Sequence, residues 1–149
     1  MVQATQELAT RRPALTPRRD PAWQAFALLR IIFTVAPILF GLDKFFNILV
    51  HWPIYLYPNA LVITEQEAMY VVGIVEIVAG LVVAIVPRYG SLLVVVWLTA
   101  IIVNLLAVGS FYDVALRDFG LLVGALALWR LSVVYAPGLP FRMRKKPSA

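Results

Sequence analysis

The stretch EAMYVVGIVEIVAGLVVAIV, residues 67–86, decides the reading of this chain. Past its first residue it is apolar except for one carboxylate, Glu76, at its middle. An α-helix rises ~1.5 Å per residue, so a run of this length matches the ~30 Å of bilayer hydrocarbon. Inside lipid every backbone N–H and C=O must be satisfied within the segment, which leaves a helix as the expected conformation. Three more stretches share this character, residues 23–50, 90–109 and 114–135. The expected fold is therefore all-α, a four-transmembrane-helix antiparallel bundle. Its membrane domain spans 23–135, between basic tails at 1–22 and 136–149.

Composition supports a membrane class. The chain of 149 residues is 62% hydrophobic, and its mean hydropathy is +0.85. A water-soluble domain of that composition would expose large aggregation-prone patches. The first apolar stretch exceeds the core of a secretory signal, and no small-x-small cleavage pattern follows it, so it is read as a retained helix. There is no cysteine, which excludes intrachain disulfides, thiolate chemistry, iron–sulfur ligation and C-x-x-C-H haem attachment.

The net charge of +5 is distributed unevenly along the chain. With both termini placed in the cytoplasm, Arg11, Arg12, Arg18, Arg19, Arg30, Arg88, Arg130, Arg142, Arg144, Lys145 and Lys146 all lie inside. Only Lys44 and Arg117 then fall toward the outside, as the positive-inside rule requires. The proline-containing basic tails suit anionic headgroups, and a nucleic-acid partner is not expected. The N-terminal tail has too little apolar surface to build a core of its own.

Aromatic and proline residues mark the edges of the spans. Trp23, Tyr89, Trp129 and Tyr135 fall at a common inner level if the helices alternate direction, as an interfacial belt would. Pro37 interrupts helix 1 near mid-membrane and favours a kink. The connection His51-Trp52-Pro53-Ile54-Tyr55-Leu56-Tyr57-Pro58 is expected to lie in the outer headgroup layer. Tight turns at 87–90 and around 110–113 would make helices 2, 3 and 4 successive antiparallel neighbours.

Polar residues inside the spans gather toward the outer half. They are Asp43 and Lys44 in helix 1, Glu76 in helix 2, Asn104 in helix 3, and Arg117 and Asp118 in helix 4. Helix 2 puts Gly73, Glu76 and Gly80 on one stripe, so Glu76 is expected to face protein at a close helix approach, within reach of Lys44. Pro37, Gly41, Lys44 and His51 line a stripe of helix 1, with Asp43 and Asn47 beside it. Arg117, Gly120 and Gly124 share a Gly-x-x-x-Gly face of helix 4, and Arg117 is expected to pair with Asp43, Asp113 or Asp118. Trp97 shares a face with Asn104, too deep to serve only as a belt residue.

Charges held in lipid are costly, so this set needs pairing, water or a ligand. One reading is a salt-bridge network that only fixes helix register; the other is a network that also meets a ligand or partner. His51, the single histidine, is either an interfacial side chain or a proton-transfer group at the mouth. Intrachain haem, a metal site, a nucleophile–base pair and a dinucleotide fingerprint are not expected, because the required residue patterns are missing.

The ordered set resembles the DoxX-like family of small four-helix membrane proteins. The resemblance rests on Leu29-Arg30-Ile31, Gly41-Leu42-Asp43-Lys44-Phe45-Phe46, Gly73 to Leu81, Asn104-Leu105-Leu106 and Arg117 to Ala125, covering about residues 26–132. Positions matching the family pattern are Gly41, Lys44, Glu76, Gly80, Asn104 and Asp118. The resemblance implies a small subunit of a bacterial-type cytoplasmic membrane, associated with quinone-linked oxidation or a redox-stress complex. No covalently bound cofactor is implied, and quinone is the candidate ligand. The partner expected beyond the lipid bilayer is a larger membrane protein complex or further copies of the chain. The family's thiol chemistry cannot run through this chain's own side chains. The reading from another class is a structural or assembly subunit of a larger complex.

Overall fold

A computed structural model describes residues 20–57 and 64–136. Nearly all of both expected tails, and Pro58 of the outer connection, lie outside the described residues. Among those described, the chain is helical: α1 Pro21–Phe46, a 3₁₀ turn Trp52–Tyr55, α2 Glu65–Ile85, α3 Pro87–Val108 and α4 Tyr112–Tyr135. All four α-helices are long and apolar enough to cross a membrane.

Local chemistry sets each boundary. Asp20 caps α1 by accepting the Ala22 N–H at 3.0 Å, with Pro21 at the first helical position, where a missing N–H is harmless. The helix runs unbroken through Pro37 but stops at Phe46, four residues short of the end expected at 50. Asn47 leaves the helix in the left-handed region (φ 51°), donating its N–H to the Asp43 carbonyl. The Asp43 carboxylate then takes the N–H groups of Ile48 and Leu49, both at 3.0 Å, which draws the chain out of the helix.

α2 begins two residues before the expected start because Thr64 and Glu67 form a reciprocal capping box. Between α2 and α3 only Val86 intervenes, so Pro87 to Gly90, expected as a turn, is the first turn of α3. α3 ends at Gly109, whose φ of 75° suits a residue without a Cβ.

α1 packs chiefly on α2 and α3 chiefly on α4, with lesser contacts between α2 and α3 and between α1 and α4. The α1–α2 seam is glycine-lined: a Cβ on Gly41 would meet the Gly73 carbonyl oxygen at 2.6 Å, and one on Gly80 would meet the Thr34 carbonyl oxygen at 2.7 Å. Such an approach brings backbones into van der Waals contact. Away from that seam, Phe26, Phe33, Ala79, Val83, Val94, Leu98, Ala125 and Leu128 form the apolar core.

The distribution of polarity is inverted relative to a protein in water. Ile31, Leu39, Phe46, Val96, Leu116 and Val134 are among many large apolar side chains facing outward, whereas Asp43, Lys44, Glu76 and Asp118 are buried. Lipid solvates that exterior without cost, and the charges are sheltered from it.

Candidate functional site

Lys44 and Glu76 face each other across the glycine seam. Gly41 and Gly73 bring α1 and α2 together, and the side chains one turn below in sequence, at i+3 in each helix, fall on the same stripe. The Lys44 Nζ donates to Glu76 Oε2 at 2.6 Å, and both side chains are almost fully enclosed. Both residues lie on the helix stripes expected to carry them.

Three more elements close around the pair. Trp52, carried by the 3₁₀ turn, lays its ring 3.7 Å from the Lys44 Nζ, so the ammonium sits between a carboxylate and an aromatic face. Asp118 on α4 is buried, and its charge couples to both Lys44 and Glu76. Trp97 on α3 brings its indole N–H next to the Glu76 carboxyl without closing a good hydrogen bond. Among the described residues, that Nε1 is the one buried side-chain polar atom left without a partner.

Formal charges in this enclosure are Lys44 against Glu76 and Asp118, one negative charge in excess. Arg117 offsets that excess from outside the enclosure. Its Nε reaches Asp118 Oδ1 at 3.3 Å, but its side chain is 65% exposed on the outside of the bundle. Of the three acids expected for Arg117, Asp118 is the one it meets.

Several residues expected in this site are used elsewhere. Asp43 is not paired with Arg117: one carboxylate oxygen holds the Ile48 and Leu49 amides, and the other accepts the Trp52 indole N–H at 2.7 Å. Asn104 is not a free amide either. Its Nδ2 donates to the Tyr55 carbonyl at 2.6 Å, and its Oδ1 accepts the Tyr57 N–H at 3.1 Å. His51 is not on the helix 1 stripe, because α1 has ended before it; it is exposed ahead of the 3₁₀ turn. Gly120, on the Gly-x-x-x-Gly stripe of α4, has open space where a Cβ would stand, while Gly124 packs against Phe33.

Asp43, Asn47 and Asn104 together fasten the outer connection down over Lys44. Asn47 Oδ1 accepts the Trp52 N–H at 3.3 Å, and its amide donates to Gln66, which in turn donates to the Lys44 carbonyl at 3.2 Å. Tyr55 leans on Phe111 with ring centroids 4.6 Å apart. Trp52 and Gln66 were not expected at the site. A tryptophan in a proline-broken loop reads as an interfacial anchor, and only the tertiary fold turns its ring over a lysine. The described residues contain no group of three or more histidine, cysteine or acidic side chains able to hold a metal.

Comparison with known proteins adds no identity: no family model, no curated protein and no solved structure matches this chain.

Proposed function

We propose that this chain is a DoxX-like, multi-pass subunit of a bacterial-type cytoplasmic membrane that presents the Lys44–Glu76 enclosure to a quinone headgroup. Its helices run antiparallel with both termini in the cytoplasm. The one-residue link at Val86 and the short link before Tyr112 support the reversals, and the basic residues of the inner segments support the orientation.

The observation that carries the ligand reading is the unsatisfied Trp97 indole N–H, buried beside a carboxylate. A quinone carbonyl oxygen fits that donor, and bound quinone would supply paired electron and proton transfer to a partner oxidoreductase. The chain's own part is to bind and to handle protons. Trp97 donates a hydrogen bond, Glu76 holds or releases a proton, and Lys44 supplies the positive charge that faces it. Phe45, stacked on Tyr70 at 5.3 Å, supplies apolar wall. Asn104 is spent on the loop, so the carbonyl-binding donor is Trp97.

Binding of a soluble short-chain quinone should raise the thermal midpoint of detergent-purified protein. That rise should be lost in Trp97→Phe and reduced in Glu76→Gln. Equal midpoints with and without quinone across a wide concentration range would overturn the reading.

A second reading, a structural or assembly subunit, draws on the internal use of Asp43 and Asn104 and the direct closure of Lys44 on Glu76. A stoichiometric protein partner retained in mild detergent, with no response to quinone, would favour it.

A further inference from the structure

We infer that the enclosure holds the reduced form of its ligand, the quinol, more tightly than the quinone. The inference rests on the quinone reading above and names the redox form that the same site selects.

The selection follows from which hydrogen-bonding groups around the ion pair are still free. Each donor side chain there is engaged, Trp97 excepted. The Lys44 ammonium is turned to Glu76 Oε2 on one side and to the Trp52 ring on the other. Asn104 donates to the Tyr55 carbonyl, Gln66 to the Lys44 carbonyl, and the Trp52 indole N–H to Asp43. What remains is the Trp97 indole N–H, buried and without a partner.

Acceptors, by contrast, are in surplus. Lys44 uses only one oxygen of Glu76, and Arg117 only one oxygen of Asp118. The second oxygens, Glu76 Oε1 and Asp118 Oδ2, take no hydrogen bond among the described residues. Neither carboxylate is sealed, since the two side chains keep 11% and 9% of their surface open. The Trp97 N–H lies next to the Glu76 carboxyl, so the free donor and a free acceptor share one corner of the enclosure.

A quinone oxygen only accepts. Held by the Trp97 N–H, it stands beside the carboxylate with lone pair against lone pair, and Glu76 Oε1 gains nothing. A quinol hydroxyl both accepts and donates. Its oxygen can take the Trp97 N–H while its hydrogen is donated to Glu76 Oε1, in a bond strengthened by the charge of the carboxylate. One hydroxyl thus satisfies the indole and the carboxylate together, which a carbonyl cannot do. Sites that offer a buried polar group to a substrate hydroxyl discriminate against analogues without the matching hydrogen.

The test is calorimetric titration of the detergent-purified full-length chain, in the absence of oxygen, with three compounds: a short-chain benzoquinone, its quinol, and the dimethyl ether of that quinol. The ether keeps both oxygens and loses both donor hydrogens. After correction for partition of each compound into empty micelles, the quinol should bind about tenfold more tightly than either of the others. In Glu76→Gln, whose amide can donate as well as accept, the quinol's advantage over the quinone should shrink to about twofold or less. The comparison of quinol with ether in wild type needs no variant, so it decides the matter even if Glu76→Gln fails to fold. Quinone or ether bound as tightly as quinol would overturn the inference and leave the quinone reading standing. So would a quinol advantage that survives intact in Glu76→Gln. Absence of binding by all three compounds would overturn the quinone reading itself, and this inference with it.

Discussion

At the scale of the residue, the Lys44–Glu76 pair carries the largest electrostatic risk in the molecule. Both side chains are buried, so removal of one partner strands the other without water. Lys44→Met or Glu76→Leu alone should destabilise the protein by roughly 3–5 kcal/mol, and the double substitution should recover much of that loss. Reversible unfolding in mixed micelles checks it; additive losses would show that the two groups act independently. A second residue-scale prediction concerns Asp20, which lies just outside α1 at the opposite end. The Tyr135 hydroxyl donates to it, and the Ala22 amide adds to this, so its carboxyl is held below the usual carboxylate range. A carboxyl depressed in the folded state stabilises that state above its unfolded pKa, and the contribution disappears as pH falls through the folded value. The acid limb of the stability curve should therefore be shallower in Tyr135→Phe. If the two proteins lose stability in parallel on acidification, the hydroxyl does not tie this corner.

Among the helices, the close fit of α1 on α2 depends on glycines whose Cβ positions are filled by backbone atoms. Gly41→Ala and Gly73→Ala each push a methyl to 2.6 Å from a carbonyl oxygen of the facing helix, so the seam must open. Overpacking of this kind costs about 1–3 kcal/mol, and it should also lengthen the Lys44–Glu76 contact. Gly120→Ala, with open space around it, should leave the midpoint unchanged or raise it, because alanine is the better helix former. Comparison of the three variants by thermal unfolding separates the two classes; equal gains would mean that helix propensity alone is at work and that the close approach does not matter. Glycine spacing on α2 made one half of this contrast legible from sequence. The other half was not, because Gly-x-x-x-Gly on α4 reads the same whether its first glycine meets a helix or nothing.

Across the whole molecule, three polar side chains from two helices and the outer connection join distant parts of the chain into one cover over Lys44. Asn104 reaches Tyr55 and Tyr57 from α3, while Asp43 and Asn47 hold Trp52 from the end of α1. Asn104→Ala should free the connection, raising hydrogen exchange at the Tyr57 amide by at least about tenfold while the helix cores stay protected. Unchanged exchange would show that aromatic stacking on Phe111 suffices.

Long apolar runs, glycine stripes and a few isolated charges are enough by themselves to predict four helices of membrane length and to put Glu76 within reach of Lys44. Those features are local or helically periodic, and a period is a property of sequence. What only the tertiary structure decided was the assignment of each remaining polar group: Asp43 and Asn104 to the outer connection, His51 and Arg117 to the exterior, Trp97 to an enclosure where its N–H finds no partner. A short polar side chain in a helix has several partners within reach at similar energy. Which one it takes depends on where a loop such as 48–57 comes to rest, and no spacing rule encodes that.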